Sequence, residues 1–534
     1  MKRSHFVRAL LAGSALVMSG TAWAQEPEAQ PDPSDATADA AIAEAQEIDD
    51  AQAKIELLQA QVEALQESIA QIQAAQTKNA PVWKGTPQLE DKEAGWSFKV
   101  RGRLQYDAGY VSNPDDEPNG GLLTRNLGFN TRARRIRLGA EGTIPGGFGY
   151  KCEADFANAS VGFGDCLLSY TPTNSPFNVA IGNQETNNGL EQISSSRWSS
   201  FMERAAFTDA FIDTRRLGIN LGYVSKDNVF RANAGLWTAH SIDSSLDNDG
   251  WIGAARLTYS PLMDGNQLHF GLNYQHREFA QNNGATAPSS TGQPSAGQVA
   301  RYRARPFSQL TDVRFVDTGN FAAKSDDIVG IEAAGIFKSL HIAAEAQYLK
   351  SNAYDAGDQI DFVADPLDLF SSSGAATSSF LVPDGNPSFW GGYIEAGYFL
   401  TGETRGYKNG AWDRTKVLKP FSKGGMGAFQ LNGRVDYLDL DSSKLHVACT
   451  NNFAVANTCP ASINYTRGGK QLGLQAGLTW IPEDYVRVLL NYSHAFVTGG
   501  PFADEVEGLA TSSPDAKDAD YGVDVVQARF QIDF

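Results

Sequence analysis

From Trp96 to the C-terminus, apolar and polar residues alternate. In "FKVRGRLQYDAGY" (98–110) Phe98, Val100, Leu104, Tyr106 and Tyr110 fall on one face, and Lys99, Arg101, Arg103, Gln105 and Asp107 on the other. A period of two is the signature of a strand with one apolar face. The pattern recurs near 131–142, 148–157, 165–171, 177–183, 215–223, 229–239, 251–259, 267–277, 327–337, 340–349, 389–400, 428–438, 471–480 and 485–493, and ends in "VQARFQIDF" (526–534), giving sixteen predicted strands. Aromatics crowd the apolar face: Tyr106, Tyr150, Tyr170, Tyr223, Tyr259, Tyr274, Tyr348, Tyr398, Tyr437, Trp480 and Tyr492 all lie on it. Soluble sandwiches rarely build one sheet this large, whereas aromatic girdles mark the headgroup levels of a transmembrane barrel. Residues 96–534 are therefore expected to form an all-β transmembrane barrel of about sixteen antiparallel strands, wide enough for an aqueous channel.

Ahead of the barrel the period changes to seven. Ile48, Ile55, Val62 and Ile69 occupy a positions, with Ala51, Leu58, Leu65 and Ile72 at d. Four such heptads predict an α-helical coiled coil over 44–78. The e positions are all Gln, so charge does not select the partner, and two or three strands both remain open. A linker, 79–95, follows. Residues 25–43 belong to an acidic stretch without Lys or Arg and read as a disordered, solvated leader. Residues 1–24 carry Lys2, Arg3 and Arg8, a short apolar centre and "AWA" before Gln25, which reads as a secretory signal peptide.

The whole chain has formal net charge −18, and loss of residues 1–24 removes three basic and no acidic side chains. So acidic an exported protein is not expected to bind nucleic acid. Export also permits disulfides, and Cys152/Cys166 and Cys449/Cys459 are spaced for two short-loop bridges. Neither GxSxG, HExxH nor a P-loop occurs. "DSSLDNDG" (243–250) lacks the closing Glu of a calcium loop. No enzyme, cofactor or metal site is expected. With the N-terminus periplasmic, the long connections 111–130, 184–214, 278–326, 350–388, 439–470 and 494–522 are extracellular. One long, basic connection, 401–427, falls on the periplasmic side; either the strand count slips there or this segment folds into the pore.

"SSSRWSSFMERA" (194–205), "GYFLTGETRGYKNGAW" (397–412), "GRVDYLDLD" (433–441) and "GLTWIPEDYVRVLLNYSHAF" (477–496) resemble recurring blocks of the phosphate-selective porin O/P family. Terminal Phe534 resembles the signal by which outer-membrane barrels engage their assembly machinery. The resemblance spans essentially all of 96–534. It implies a trimer of sixteen-stranded barrels in the outer membrane of a Gram-negative bacterium. The third extracellular loop would fold inward, and a long periplasmic turn entering the lumen would fit as well. It also implies selectivity for small anions, phosphate or pyrophosphate and polyphosphate, along basic walls. Where phosphate-binding members place a lysine in the inward loop, 184–214 offers Arg197 and Arg204.

Strand parity points twelve basic and ten acidic wall residues inward, a small positive excess in an acidic protein. An anion path is expected along Arg101, Arg103, Arg135, Arg137, Arg216, Arg256 and Arg434, with Arg197 and Arg204 from the inward loop. Guanidinium matches phosphate oxygens in a bidentate fork, and a ladder of shallow sites lets an anion enter and leave. The competing role is bracing of the wall by Glu141, Glu153 and Asp155. A weakly selective pore with a tethering coiled coil is the alternative reading. Parity puts Arg132 and Arg134 of "TRARRIRLGAEG" outward, at the rim, where they would meet glycolipid phosphates; a bulge would shift that by one residue.

Overall fold

The computed structural model describes residues 33–78, 81–83, 85–91, 93–115, 126–157, 161–242, 250–279, 299–319, 321–353, 380–381, 383, 385–445, 448–449, 468–509 and 514–534. The expected signal peptide, the start of the leader, Cys459 and 243–249 lie outside them, and Cys449 is described by its backbone alone.

Two compact units divide at Lys78. The first contains α1, Pro33–Lys78, a single helix of 46 residues. It begins inside the segment expected to be a disordered leader. "PSDATADAAIAEAQ" explains the earlier start: proline suits the first helical position, and the alanines that follow are the best helix formers. The apolar heptad positions lie open, Ile48 at 53%, Leu58 at 58% and Leu65 at 61% exposure.

The second unit is a closed antiparallel barrel. Its strands are β1 Trp96–Val111, β2 Gly128–Ile144, β3 Phe148–Asp155, β4 Gly162–Tyr170, β5 Phe177–Glu185, β6 Arg215–Val224, β7 Phe230–Thr238, β8 Trp251–Tyr259, β9 Asn266–Glu278, β10 Phe321–Phe337, β11 Leu340–Ala353, β12 Ser388–Phe399, β13 Ala428–Asp439, β14 Lys470–Glu483, β15 Val486–Thr498 and β16 Asp520–Asp533. Each matches one predicted strand. Every neighbour in this order is paired, and β16 closes on β1 through Val525↔Val111 to Asp533↔Arg103. Closure removes every open edge, as a barrel in lipid requires. At the seam Gly102 and Phe534 exchange backbone hydrogen bonds of 2.9 and 3.0 Å. The Phe534 ring lies so close that a Cβ on Gly102 would come within 2.0 Å of it. The terminal aromatic thus seats on a position that only glycine fits.

The outer face keeps its apolar side chains exposed, among them Ile331 and Ile394, with Tyr259, Tyr348 and Tyr398. No described helix is long and apolar enough to cross a membrane. Strand β10 starts at Phe321 and β16 at Asp520, six residues ahead of expectation in each case. There the inner face is covered: Phe321, Val523 and Val525 are fully buried in an apolar cluster with Phe207, Tyr302 and Phe315 from the inward segments. The outward positions are polar instead, Asp327 in β10 and Asp524 in β16 having side chains 46% and 44% exposed, so the apolar side changes face and the alternation is inverted there.

Candidate functional site

Among the described residues, three connections reach into the barrel beside the basic wall. The first, 186–214, leaves β5 and turns inward through two short helices, α2 Leu190–Ile193 and α3 Ala206–Phe211, whose Leu190, Phe207 and Phe211 are buried. Wall carboxylates receive the helices' free backbone donors. Leu190 N and Glu191 N donate to the two Glu345 oxygens at 2.7 Å each, and Ala206 N donates to Asp436 at 3.2 Å. Arg434, 2% exposed, bridges Glu191 at 2.5 Å and Glu395 at 2.6 Å. These contacts hold the loop inside, as the family resemblance implies.

The second is the long connection 400–427 at the opposite rim. The strand count holds, and the segment enters the barrel as a hairpin of Gly406–Lys408 with Ala411–Asp413. Arg405 Nη2 donates to Trp198 O at 2.7 Å and Nη1 to Ser200 Oγ at 3.0 Å, while Trp412 N donates to Ser194 Oγ at 3.0 Å. Burial lowers the Arg405 pKa to about 10 against the pull of Glu395, leaving it charged at neutral pH. The third is 299–317. In "RYRAR" (301–305) Tyr302 and Ala304 are buried while Arg301, Arg303 and Arg305 stay accessible, an extended segment whose Arg303–Ala304 pairs with Val316–Asp317.

Between 186–214, 299–317 and β2 lies a cavity of about 450 Å³. Seven arginines line it: Arg134, Arg135, Arg137, Arg204, Arg215, Arg216 and Arg305, against Asp155, Glu203 and Asp209. Their charges are not equally free. Arg137 is bound to Glu153 at 2.8 Å and Asp155 at 2.7 Å, Arg215 to Asp165 at 2.6 Å and Glu185 at 2.9 Å, and Arg216 to Asp213 at 2.5 Å. Arg135 Nη1 donates to the neutral Gln105 Oε1 at 2.8 Å, and among the described residues it has no ion pair. Arg204 donates to the carbonyls of Glu191, Gln192 and Ser194 at 3.1–3.2 Å. Glu203 accepts from Arg134 at 3.0 and 3.1 Å and from Arg529 at 2.7 Å. Burial opposes its ionisation, but Arg134 and Arg529 outweigh that and hold its pKa far below the usual carboxylate range.

The outward placement of Arg132 and Arg134 is corrected. The register of β1 with β2 steps from Gln105↔Arg135 to Tyr106↔Ala133, so Arg134 is the extra residue of a β-bulge. Beyond it parity inverts: Arg134 reaches Glu203, and Arg132 Nη1 donates to Gln309 O at 2.9 Å. All four arginines of the block look inward, which spares even the about 0–1 kcal/mol of an arginine on the lipid face near the interface.

Of the other expected path residues, Arg135, Arg137, Arg204 and Arg216 meet at the cavity. Arg101 pairs with Glu141, Arg103 donates to Ser196 Oγ at 2.5 Å, and Arg197 approaches Asp533 at 3.8 Å. Arg256 and Arg434 do not line it: Arg256 is bound to Glu332 at 2.6 Å and Arg434 as above, both nearly wholly buried. Sequence reasoning missed Arg134, Arg215 and Arg305 at the cavity, and Arg277, which ties Asp326 to Phe211 O and Asp213. The alternation in "RYRAR" carried a signal for Arg305; the bulge left none. Cys152 and Cys166 stand opposite each other on β3 and β4, joined by a disulfide with Cα atoms 3.9 Å apart.

Residues 98–534 match the family model described as phosphate-selective porin O and P. A protein of Caulobacter vibrioides carrying no functional name is 33% identical over 473 residues, covering 86% of this chain and 79% of its own length. Porin O of Pseudomonas aeruginosa is 26% identical over 460 residues, covering 80% of this chain and 90% of its own. Among solved structures, the anion-selective porin from Comamonas acidovorans aligns with TM-score 0.42 and 13% identity, over 82% of this chain and 100% of that one.

Proposed function

Because the chain belongs to the phosphate-selective porin O and P family, we propose that it is an outer-membrane channel for passive, anion-preferring diffusion, with phosphate and polyphosphate as substrates. Family and barrel fold are those of a channel rather than an enzyme. One observation carries the anion preference: of the seven arginines at the cavity, Arg135 and Arg204 have no ion pair among the described residues, in a protein whose overall charge is strongly negative. A basic constriction between low-dielectric walls concentrates anions locally, whatever the charge of the distant loops and leader. Arg303 extends that field along 299–317, where Arg301 is bound to Asp317 at 2.5 Å and Arg305 approaches Asp209 at 3.4 Å. Arg103, which donates to the cavity-lining Ser196, is a further step. Arg137, Arg215 and Arg216 serve as much to brace the wall as to meet ions. In planar bilayers, phosphate is expected to reduce the chloride current saturably; chloride current indifferent to millimolar phosphate would demote the protein to a general anion pore.

A second, compatible role belongs to α1. Ile48, Ile55, Val62, Leu65 and Ile69 stay more than half exposed at heptad spacing, a stripe that water disfavours and a second copy would cover. We infer a periplasmic homotrimeric coiled coil that joins three barrels. Deleting 44–78 is expected to lower the trimer fraction in mild detergent, measured by light scattering. An equally stable trimer would make the helix an accessory.

A further inference from the structure

We propose that a single chloride-sized inorganic anion is bound between Arg405 and Arg487, where it joins the inward loop 186–214 to the segment 400–427. The site shares no lining residue with the cavity of the proposed anion path, so the inference goes beyond that reading and does not depend on it.

Two buried charges without carboxylate partners are the first observation. Arg405 is 6% and Arg487 5% exposed, and among the described residues neither forms an ion pair. Both spend their terminal nitrogens on consecutive carbonyls of the inward loop. Arg487 donates to Arg197 O and, at 3.0 Å, to Ser199 O, and Arg405 donates to Trp198 O at 2.7 Å. Carbonyl dipoles and the Trp412 ring, 4.4 Å from the Arg405 guanidinium, supply only partial negative charge. The carboxylates Glu395 and Asp533 are already taken, the first by Arg434 at 2.6 Å and the second by Arg414. Buried charge is costly unless it is paired.

A small space between them is the second observation. Arg405, Arg414 and Arg487 line a cavity of about 20 Å³ together with Trp198. The Nε atoms of Arg405 and Arg487 are buried and have no hydrogen-bond partner among the described residues. Asp413 and Asp484 line the cavity too, but both are partly exposed, where water screens them, and Asp484 Oδ1 accepts from Val417 N at 2.9 Å. The volume admits one water-sized particle. Water would accept from the guanidiniums and leave their charges standing, whereas a monatomic anion accepts and neutralises. Phosphate and sulfate are too large to enter.

The test uses the full-length protein in neutral detergent, with chloride titrated against gluconate at fixed ionic strength and pH. Chloride and bromide are expected to raise the unfolding temperature saturably, by about 3 °C. The rise is expected to vanish in Arg487→Gln and to persist in Arg135→Gln, which alters the transport cavity. A rise that survives Arg487→Gln, or that Arg135→Gln abolishes, overturns the inference while sparing the anion-channel reading. Equal unfolding temperatures in chloride and gluconate overturn it as well. If Arg487→Gln fails to fold, crystals of the unsubstituted protein grown in bromide decide: an anomalous peak is expected between Arg405 and Arg487, and its absence refutes the site. Cation-selective currents beside an intact chloride effect would remove the anion-channel reading and leave this inference standing.

Discussion

Replacing Arg135 by glutamine is expected to cut the chloride-to-potassium permeability ratio about fivefold or more, whereas Arg137→Gln leaves that ratio within about twofold of the original. The two residues are neighbours on one strand, and sequence parity treats them alike. Their partners separate them. Arg137 is neutralised by Glu153 and Asp155, so removing it deletes a charge already compensated on the wall. Among the described residues Arg135 donates to the Gln105 amide and has no ion pair, so its positive charge acts on whatever anion enters. One charge at about 4 Å contributes about 1 kcal/mol in a water-like medium and about 4 kcal/mol at an effective dielectric of 20. The lower figure is already about a fivefold change in partitioning. Arg137→Gln is instead expected to destabilise the wall, because Glu153 and Asp155 lose their shared partner. Reversal potentials of the two variants under a KCl gradient check the contrast; equal losses of selectivity would show that pairing does not screen Arg137.

Arg434→Met is expected to raise single-channel conductance, lower ion selectivity and reduce thermal stability together. Arg434 stands between Glu191 of the inward loop and Glu395 of β12, with all three side chains buried, and its guanidinium stacks 4.4 Å from Tyr393 and 4.9 Å from Phe201. Removing one member of a buried ion pair leaves an uncompensated charge and costs about 3–5 kcal/mol. Here two carboxylates would face each other. Glu191 sits in the loop, so the loop moves, and the narrow part of the lumen opens. Conductance in concentrated KCl and the unfolding temperature of the detergent-solubilised protein measure the two effects. A variant with unchanged conductance would mean that Glu345 and Asp436 suffice to hold 186–214 in place.

The barrel was legible because lipid on one side and a polar lumen on the other impose a period of two on every strand. Legibility failed where that condition fails. At the start of β10 and of β16 the inner face is covered by apolar inward segments while Asp327 and Asp524 stand on the outer face, and the alternation that marks β12 is inverted. The acidic, alanine-rich run before Ile48 reads as unstructured by charge and as helical by propensity, and propensity prevailed. Within "TRARRIRLGAEG" two inward arginines were readable from parity and two were misplaced. A bulge adds one residue to a strand without changing its composition, and no single-chain pattern places it. The role of 299–317 was hidden differently: "RYRAR" alternates, but the run is too short and too close to Pro306 to announce a strand. Pairing is the third quantity beyond the sequence. Arg256 and Arg434 count as inward bases by parity, yet each is consumed by carboxylates that only the closed barrel brings beside it.

The central claim is that an acidic protein carries an anion-preferring lumen because two guanidiniums without an ion pair among the described residues, Arg135 and Arg204, face one cavity. The most direct test is the reversal potential of the full-length protein in a planar bilayer of neutral lipid under a tenfold KCl gradient. A potential with the sign of the chloride equilibrium potential is the expected result. A potential with the sign of the potassium equilibrium potential would contradict the account.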